Sequence, residues 1–190
     1  MKNTSLIVIA SLFVFVGCNA MPTQNPSQSQ EYEIDGNQTN QNEIKVQSSD
    51  VNIGNSARQE EDIYVGKGDV KIGGNAVING SITIEDGNLD IGNSTTVEGK
   101  IVIMNGDMEI GGNNQINDDV VIEVGDFEAG NSNHLKTVVV EDGNIELDGN
   151  NTIKGNLEAP KGEVVIGNSN NIKGEIVSET FEQGGNNVIE

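Results

Sequence analysis

The feature that most constrains this chain is a repeat. Gly162-Glu163-Val164-Val165-Ile166-Gly167-Asn168-Ser169-Asn170-Asn171-Ile172-Lys173-Gly174-Glu175-Ile176 is the clearest copy of a unit that recurs from Gln30 to the C-terminus. Units begin at Gln30, Ser49, Gly68, Gly87, Gly106 and Gly125 at steps of 19 residues, then at Gly143, Gly162 and Glu179 at steps of 18, 19 and 17. A period near 20 is that of a solenoid, in which one unit cannot bury its apolar side alone and must stack on its neighbours.

The apolar spacing within the unit is that of strands. Val70-x-Ile72, Leu89-x-Ile91, Met108-x-Ile110, Ile145-x-Leu147 and Val164-x-Ile166 form a leading strand. Ile82-x-Ile84, Ile101-x-Ile103, Val120-x-Ile122 and Val138-x-Val140 form a second, and a lone apolar residue (Ile78, Val97, Ile116, Leu135, Ile153, Ile172) falls between them. Alternation at period two sends these residues to one side, and stacking places like above like. The reading is all-β: a right-handed parallel β-helix, a triangular β-solenoid of about 19 residues per coil, with about five inward side chains in each. The choice of hand follows the preference of parallel crossovers. At about 4.8 Å per coil the rod is roughly 40 Å long.

Gly and Asn mark the corners. Gly-Asp or Gly-Asn opens most coils, as at Gly68-Asp69, Gly87-Asn88 and Gly106-Asp107, where positive φ costs least. After the leading strand the chain reads Gly36-Asn37, Asn55-Ser56, Gly74-Asn75, Asn93-Ser94, Gly112-Asn113, Asn131-Ser132, Gly149-Asn150, Asn168-Ser169 and Gly185-Asn186. The two corner types alternate, so the duplicated unit is a pair of coils. The corner Asn and Ser are expected to stack as a hydrogen-bonded ladder with a structural role.

Three segments follow: 1–18 a signal peptide, 19–29 a flexible tether, and 30–190 the solenoid. Lys2 gives a short basic start and Leu6–Val16 an apolar run too short to span a bilayer, which needs about 20 residues. Phe15-Val16-Gly17-Cys18 resembles the lipobox of bacterial lipoproteins, although Leu is usual where Phe15 stands. That resemblance implies lipidation at Cys18, a membrane anchor in the cell envelope and, with Asn19 after the Cys, the outer membrane if the source is Gram-negative. Pro22, Pro26 and the surrounding Gln, Ser and Asn read as tether. Cys18 is the only cysteine, so the chain has no disulfide of its own.

Ile166-Gly167-Asn168-Ser169-Asn170-Asn171-Ile172 and Leu147-Asp148-Gly149-Asn150-Asn151-Thr152-Ile153 are similar to the signature of exported, Asn-rich repeat lipoproteins of unknown function. Ile78-Asn79-Gly80-Ser81-Ile82 and its equivalents also resemble the bactofilins, triangular β-helices that polymerise end to end. Bactofilins are typically cytosolic, which sets this exported chain apart. Neither resemblance supplies catalytic residues.

A formal charge of −20 excludes nucleic acid as a partner of the bulk surface. His134, the single histidine, is placed at the defective corner of the short coil, with no second His or mature Cys to share a metal. No nucleophile elbow, phosphate loop or calcium nonapeptide array is present, the coils lack the insertions that wall a lyase cleft, and the Thr-x-Thr ladder of an ice-binding surface is missing. The expectation is therefore no enzyme and no cofactor, calcium apart. Asp90, Glu109, Glu128 and Glu146 stack as outward residues of successive leading strands and form the candidate cation column. Neighbouring charges at 4.8 Å repel by about 0.9 kcal/mol in water. The alternative is a solvated face that discourages aggregation. On the second strand Tyr64, Val102, Val121 and Val139 form the candidate interaction strip, unless a loop or the tether covers it. Phe181 is expected to plug the column and Gln183 to make its end polar, or that end stacks on another molecule.

Two functions are expected to compete. One is a lipid-anchored structural, self-associating or adhesion-like protein; the other is a calcium- or polysaccharide-binding module.

Overall fold

The computed structural model describes residues 31–190; the expected signal peptide, Cys18 and the tether lie outside them. Every described regular element is a strand, 24 in all, and every pairing between them is parallel. Each coil carries a leading strand such as Val70–Ile72, a two-residue short strand such as Val77–Ile78 and a long strand such as Ile82–Asp86. Each pairs with its equivalent about 19 residues away, giving a three-sided β-solenoid. The short strands form a nine-stranded sheet.

Leading and long ladders join into one fifteen-stranded sheet because Leu157–Ile166 runs unbroken through the corner that glycine turns elsewhere. Its partner Ile176–Gln183 does the same with fewer residues. The register skips between Ala159 and Glu163 while the partner advances only from Ser178 to Thr180, which is where the 17-residue step loses its two residues.

The interior is a dry aliphatic column. In the third coil Val70, Ile72, Ile78, Ile82 and Ile84 are each at most 2% exposed, which is the expected set of five. Phe127 and Ala129 fill the leading-strand positions of the sixth coil, between Met108/Ile110 and Ile145/Leu147. One side chain is larger and the other smaller than the aliphatic norm, so that coil keeps its volume while breaking the pattern.

A sixth inward position lies immediately after the leading corner, and it is polar over most of the rod. Thr95, Asn114, Asn133, Asn151 and Asn170 are all at most 1% exposed. The Asn114 Oδ1 accepts the Thr95 amide at 2.7 Å, Asn133 that of Asn114 at 2.8 Å, Asn151 that of Asn133 at 2.7 Å, and Asn170 that of Asn151 at 2.7 Å. An amide turned inward would be stranded without such a partner.

The outer corners are laddered differently from the expectation. The residue at φ 58–66° is Asn in one corner type and Ser in the other. Rungs come from the Asn before each Ser: Asn55, Asn93, Asn131 and Asn168 accept the amides of Gly74, Gly112, Gly149 and Gly185 at 2.6–3.0 Å. Serine supplies the left-handed conformation and, among the described residues, no rung. The alternation has a steric cause. A Cβ on Gly36, Gly74, Gly112 or Gly149 would sit 2.9–3.0 Å from the carbonyl oxygen of the Asn in the following coil.

A third ladder lines the corner that opens each coil. Asp50, Asp69, Asn88, Asp107, Asp126 and Asn144 each accept the next coil's amide at 2.7–2.9 Å. Carboxylate and carboxamide are interchangeable there because only an acceptor oxygen is needed.

Candidate functional site

The leading-strand ladder fixes the carboxylate column. Asp90 pairs with Glu109, Glu109 with Glu128, and Glu128 with Glu146, so the four side chains leave the same face on successive rungs, all exposed. Lys71 precedes them in register and Val165 follows. Glu109, Glu128 and Glu146 form one wall of a shallow furrow floored by Gly111, Ala129 and Gly130 and closed by Asp148, to whose Oδ2 the Asn131 amide donates at 3.3 Å. Small residues make the floor, so the furrow is a by-product of the corner: a Cβ at Gly111 would collide with the Asn93 carboxamide. Among the described residues no three His, Cys, Asp or Glu side chains converge as a metal-ligand set. The column faces water as a line of single charges.

The valine strip is built by the long strands. Val102 pairs with Val121 and Val121 with Val139, each half-buried. Tyr64 is not contiguous with them, because Thr83 lies between it and Val102. Its hydroxyl donates to Glu85 at 2.6 Å, which raises its pKa, and Lys45 Nζ stands 5.2 Å from the ring centroid. The most exposed apolar side chains of the long strands are Val124 at 50%, Val177 at 42%, which continues the strip column beyond Glu158, and Met104 at 40%; sequence reasoning missed Met104 and Val124. Met104 is two residues beyond Val102, the next outward position of the same strand. Val124 occupies a column otherwise polar here, between Asn105 and Asp142. The period-two rule applied one step further finds the methionine; nothing in the pattern announces the valine.

His134 is not a corner residue. It lies in the short strand His134–Leu135, exposed, between Gln115 and Thr152. The deletion falls at the next corner, where Lys136-Thr137 replaces three residues such as Glu98-Gly99-Lys100. Lys136 Nζ reaches Asp118 at 2.9 Å and Asp119 at 3.2 Å across the tightened turn. The hydrogen bond from Lys136 is the main cause holding the Asp118 carboxyl below its ordinary range, and the same bond raises the lysine. A depressed carboxyl stabilises the fold above its unfolded pKa and loses that contribution as pH falls through the folded value. A raised lysine contributes below its unfolded pKa and loses its share as pH rises through the folded value. Replacing Lys136 by Met should therefore lower the melting temperature slightly at neutral pH. The gap from the unaltered protein should close once the pH falls below Asp118's depressed range, as differential scanning calorimetry across pH would read. A gap that persists there would assign the effect to packing of the lysine stem.

Compared with protein-family models, curated proteins and solved structures, the chain has no match.

Proposed function

We propose that this is a structural protein of the cell envelope, anchored through lipid on Cys18 and acting by self-association or attachment along the side of an acidic rod. The observation that carries the reading is the apolar strip of Val102, Val121 and Val139 on consecutive coils, with Met104 exposed at the next outward position and Val124 exposed at the end of the middle strand. A contiguous, half-exposed apolar strip on an otherwise polar rod marks a contact surface. The resemblance to exported Asn-rich repeat lipoproteins is in keeping with an anchored rod, and that to bactofilins with one that assembles. A Gram-negative source would put it on the outer membrane.

The furrow beside Glu109, Glu128 and Glu146 favours a second reading, a surface that collects calcium or polysaccharide. It is the weaker of the two, since its carboxylates stand in line rather than around a point.

Among the described residues the core begins at Ile34, so a soluble chain of residues 19–190 retains all of the core described. Sedimentation velocity with negative-stain microscopy on that chain is expected to show concentration-dependent oligomers without calcium. Val121→Lys, whose outward position leaves the core untouched, should shift them toward monomer. A chain that stays monomeric, but gains heat stability from calcium beyond that given by sodium at equal ionic strength, would replace this reading with the second.

A further inference from the structure

An asparagine carries a slow reaction within its own backbone. The amide nitrogen of the next residue can attack the side-chain Cγ, fastest where that residue is Gly, which has no Cβ to shield the nitrogen, and next fastest at Ser. The sequence has six such steps: Asn79-Gly80, Asn105-Gly106 and the four Asn-Ser pairs of the outer corners. A nitrogen whose proton is held in a hydrogen bond cannot attack until that bond opens, and in five of the six it is held. The Ser56, Ser94, Ser132 and Ser169 amides donate to carbonyls of the next coil at 2.9–3.1 Å, while the Asn before each is fixed by its own rung. Gly106 donates to the Val124 carbonyl at 2.9 Å, and Asn105 lies in a strand paired on both sides. The sixth step differs. Asn79-Gly80 falls between the short strand Val77–Ile78 and the long strand Ile82–Asp86, outside both ladders. Among the described residues the Gly80 amide has no hydrogen-bond partner. The half-buried Asn79 side chain is tied by one bond, from Nδ2 to Glu60 Oε2 at 2.6 Å.

We propose that Asn79-Gly80 is a site of spontaneous modification, where the folded chain converts its own asparagine to aspartate or isoaspartate with water as the co-reactant. The Gly80 nitrogen loses its proton to solvent and forms a bond to Asn79 Cγ. The Cγ–Nδ2 bond breaks, and the departing nitrogen takes up a proton and leaves as ammonia. Water then opens the five-membered imide. Breaking the new N–Cγ bond leaves aspartate in an unchanged backbone, whereas breaking the bond to the α-carbonyl leaves an isoaspartyl link. Nothing is oxidised or reduced. The same corner two coils on carries Asn117-Asp118, where the following side chain crowds the nitrogen and its charge opposes loss of the amide proton.

The product changes the corner in two ways. Glu60, Asn79, Glu98 and Asn117 follow one another up the rod as carboxylate, carboxamide, carboxylate, carboxamide, and Asn117 Nδ2 donates to Glu98 at 2.9 Å as Asn79 does to Glu60. Aspartate at 79 removes a donor and sets a third charge between two others at coil spacing. The isoaspartyl form lengthens the backbone at a corner with no slack, since even a Cβ on Gly80 would collide with the Glu61 carbonyl. Modification should therefore loosen the third coil locally and leave the rest of the rod in register.

The test incubates the soluble chain 19–190 in warm, mildly alkaline buffer, folded and in urea, and follows ammonia release and the modified peptides by mass spectrometry. In the folded chain Asn79 is expected to react about tenfold or more faster than Asn105 and the four Asn-Ser steps, the factor set by opening one backbone bond. In urea Asn105 should draw level with it. Asn79→Gln should abolish the early product, and Asn79→Asp should melt below the unaltered chain. Equal rates at Asn79 and Asn105 in the folded chain, or an early product that survives Asn79→Gln, would overturn the site. Unchanged melting of Asn79→Asp would leave the reaction standing and overturn its effect on the coil.

Discussion

Replacing Gly106 by Ala is expected to cost about 4 kcal/mol or more of stability, or to abolish folding of the chain into a soluble rod. Gly106 has φ +147°, a conformation that side chains rarely adopt, and an added Cβ would overlap the Gly87 carbonyl oxygen and lie 2.6 Å from its carbon. The obstruction is backbone of the coil beneath, locked in place by the Gly106 amide bonding to Val124 and the Gly87 amide to Asn105 at 2.9 and 3.0 Å. No rotamer change relieves it. Relief must come from lifting one coil off another, which breaks ladder bonds and opens the aliphatic column together, a cost beyond that of ordinary substitutions. Gly185→Ala is the control. Its Cβ would meet only Asn168 Oδ1 at 3.6 Å, so it should be neutral or slightly stabilising through loss of chain entropy in the unfolded state. Chemical denaturation of both variants, followed by circular dichroism, checks the pair. Equal effects would mean that coil-to-coil contact at the opening corner is looser than the geometry requires.

The difference between these two glycines shows how far a repeat can be read. Period and alternation identified which residues turn inward, because burial on a strand depends only on parity, and stacking copies the choice from coil to coil. They also placed Asp90 over Glu109 and Val102 over Val121, since an unbroken 19-residue step is itself a register. What the pattern could not weigh was contact between the backbones of successive coils. Gly106 and Gly185 are the same letter in the sequence, and only the neighbouring coil makes one of them obligatory. His134 was misplaced for a related reason: a missing residue can be counted from the period, but which corner absorbs it depends on where the ladder bonds can be kept. Exposure of the strip was likewise not set by parity alone. Val102, Val121 and Val139 shield one another and are half-buried, while Met104 and Val124 stand out at its margin.

The polar interior yields the second large effect. Asn151 and Asn133 look in sequence like further corner residues, yet they point into the column and replace hydration for amides that the turn directs inward. Asn133→Ala removes the acceptor of the Asn114 amide and the 2.8 Å donation from Nδ2 to the Gly130 carbonyl, and leaves a buried amide, a buried carbonyl and a void. Each orphaned group costs about 1–3 kcal/mol, so a loss of roughly 3–4 kcal/mol is expected. Asn114→Ala provides a sharper comparison than any surface variant. Its Oδ1 serves the Thr95 amide, but its Nδ2 is buried without a partner. Truncation there forfeits one bond and also removes an unsatisfied donor, so the loss should be smaller than at Asn133 by about 1 kcal/mol or more. The rank order matters more than either value, because volume change and chain entropy are the same for the two substitutions. Urea unfolding of both variants side by side decides it. If Asn114→Ala is as damaging as Asn133→Ala, the donor at Asn114 is satisfied in solution, by water or by a carbonyl such as that of Gly111, and the ladder is uniform along the rod. If the order holds, the interior is graded, with its tightest stretch at Asn133 and Asn151, whose Nδ2 groups donate to the Gly130 and Asp148 carbonyls, while those of Asn114 and Asn170 are buried without a partner.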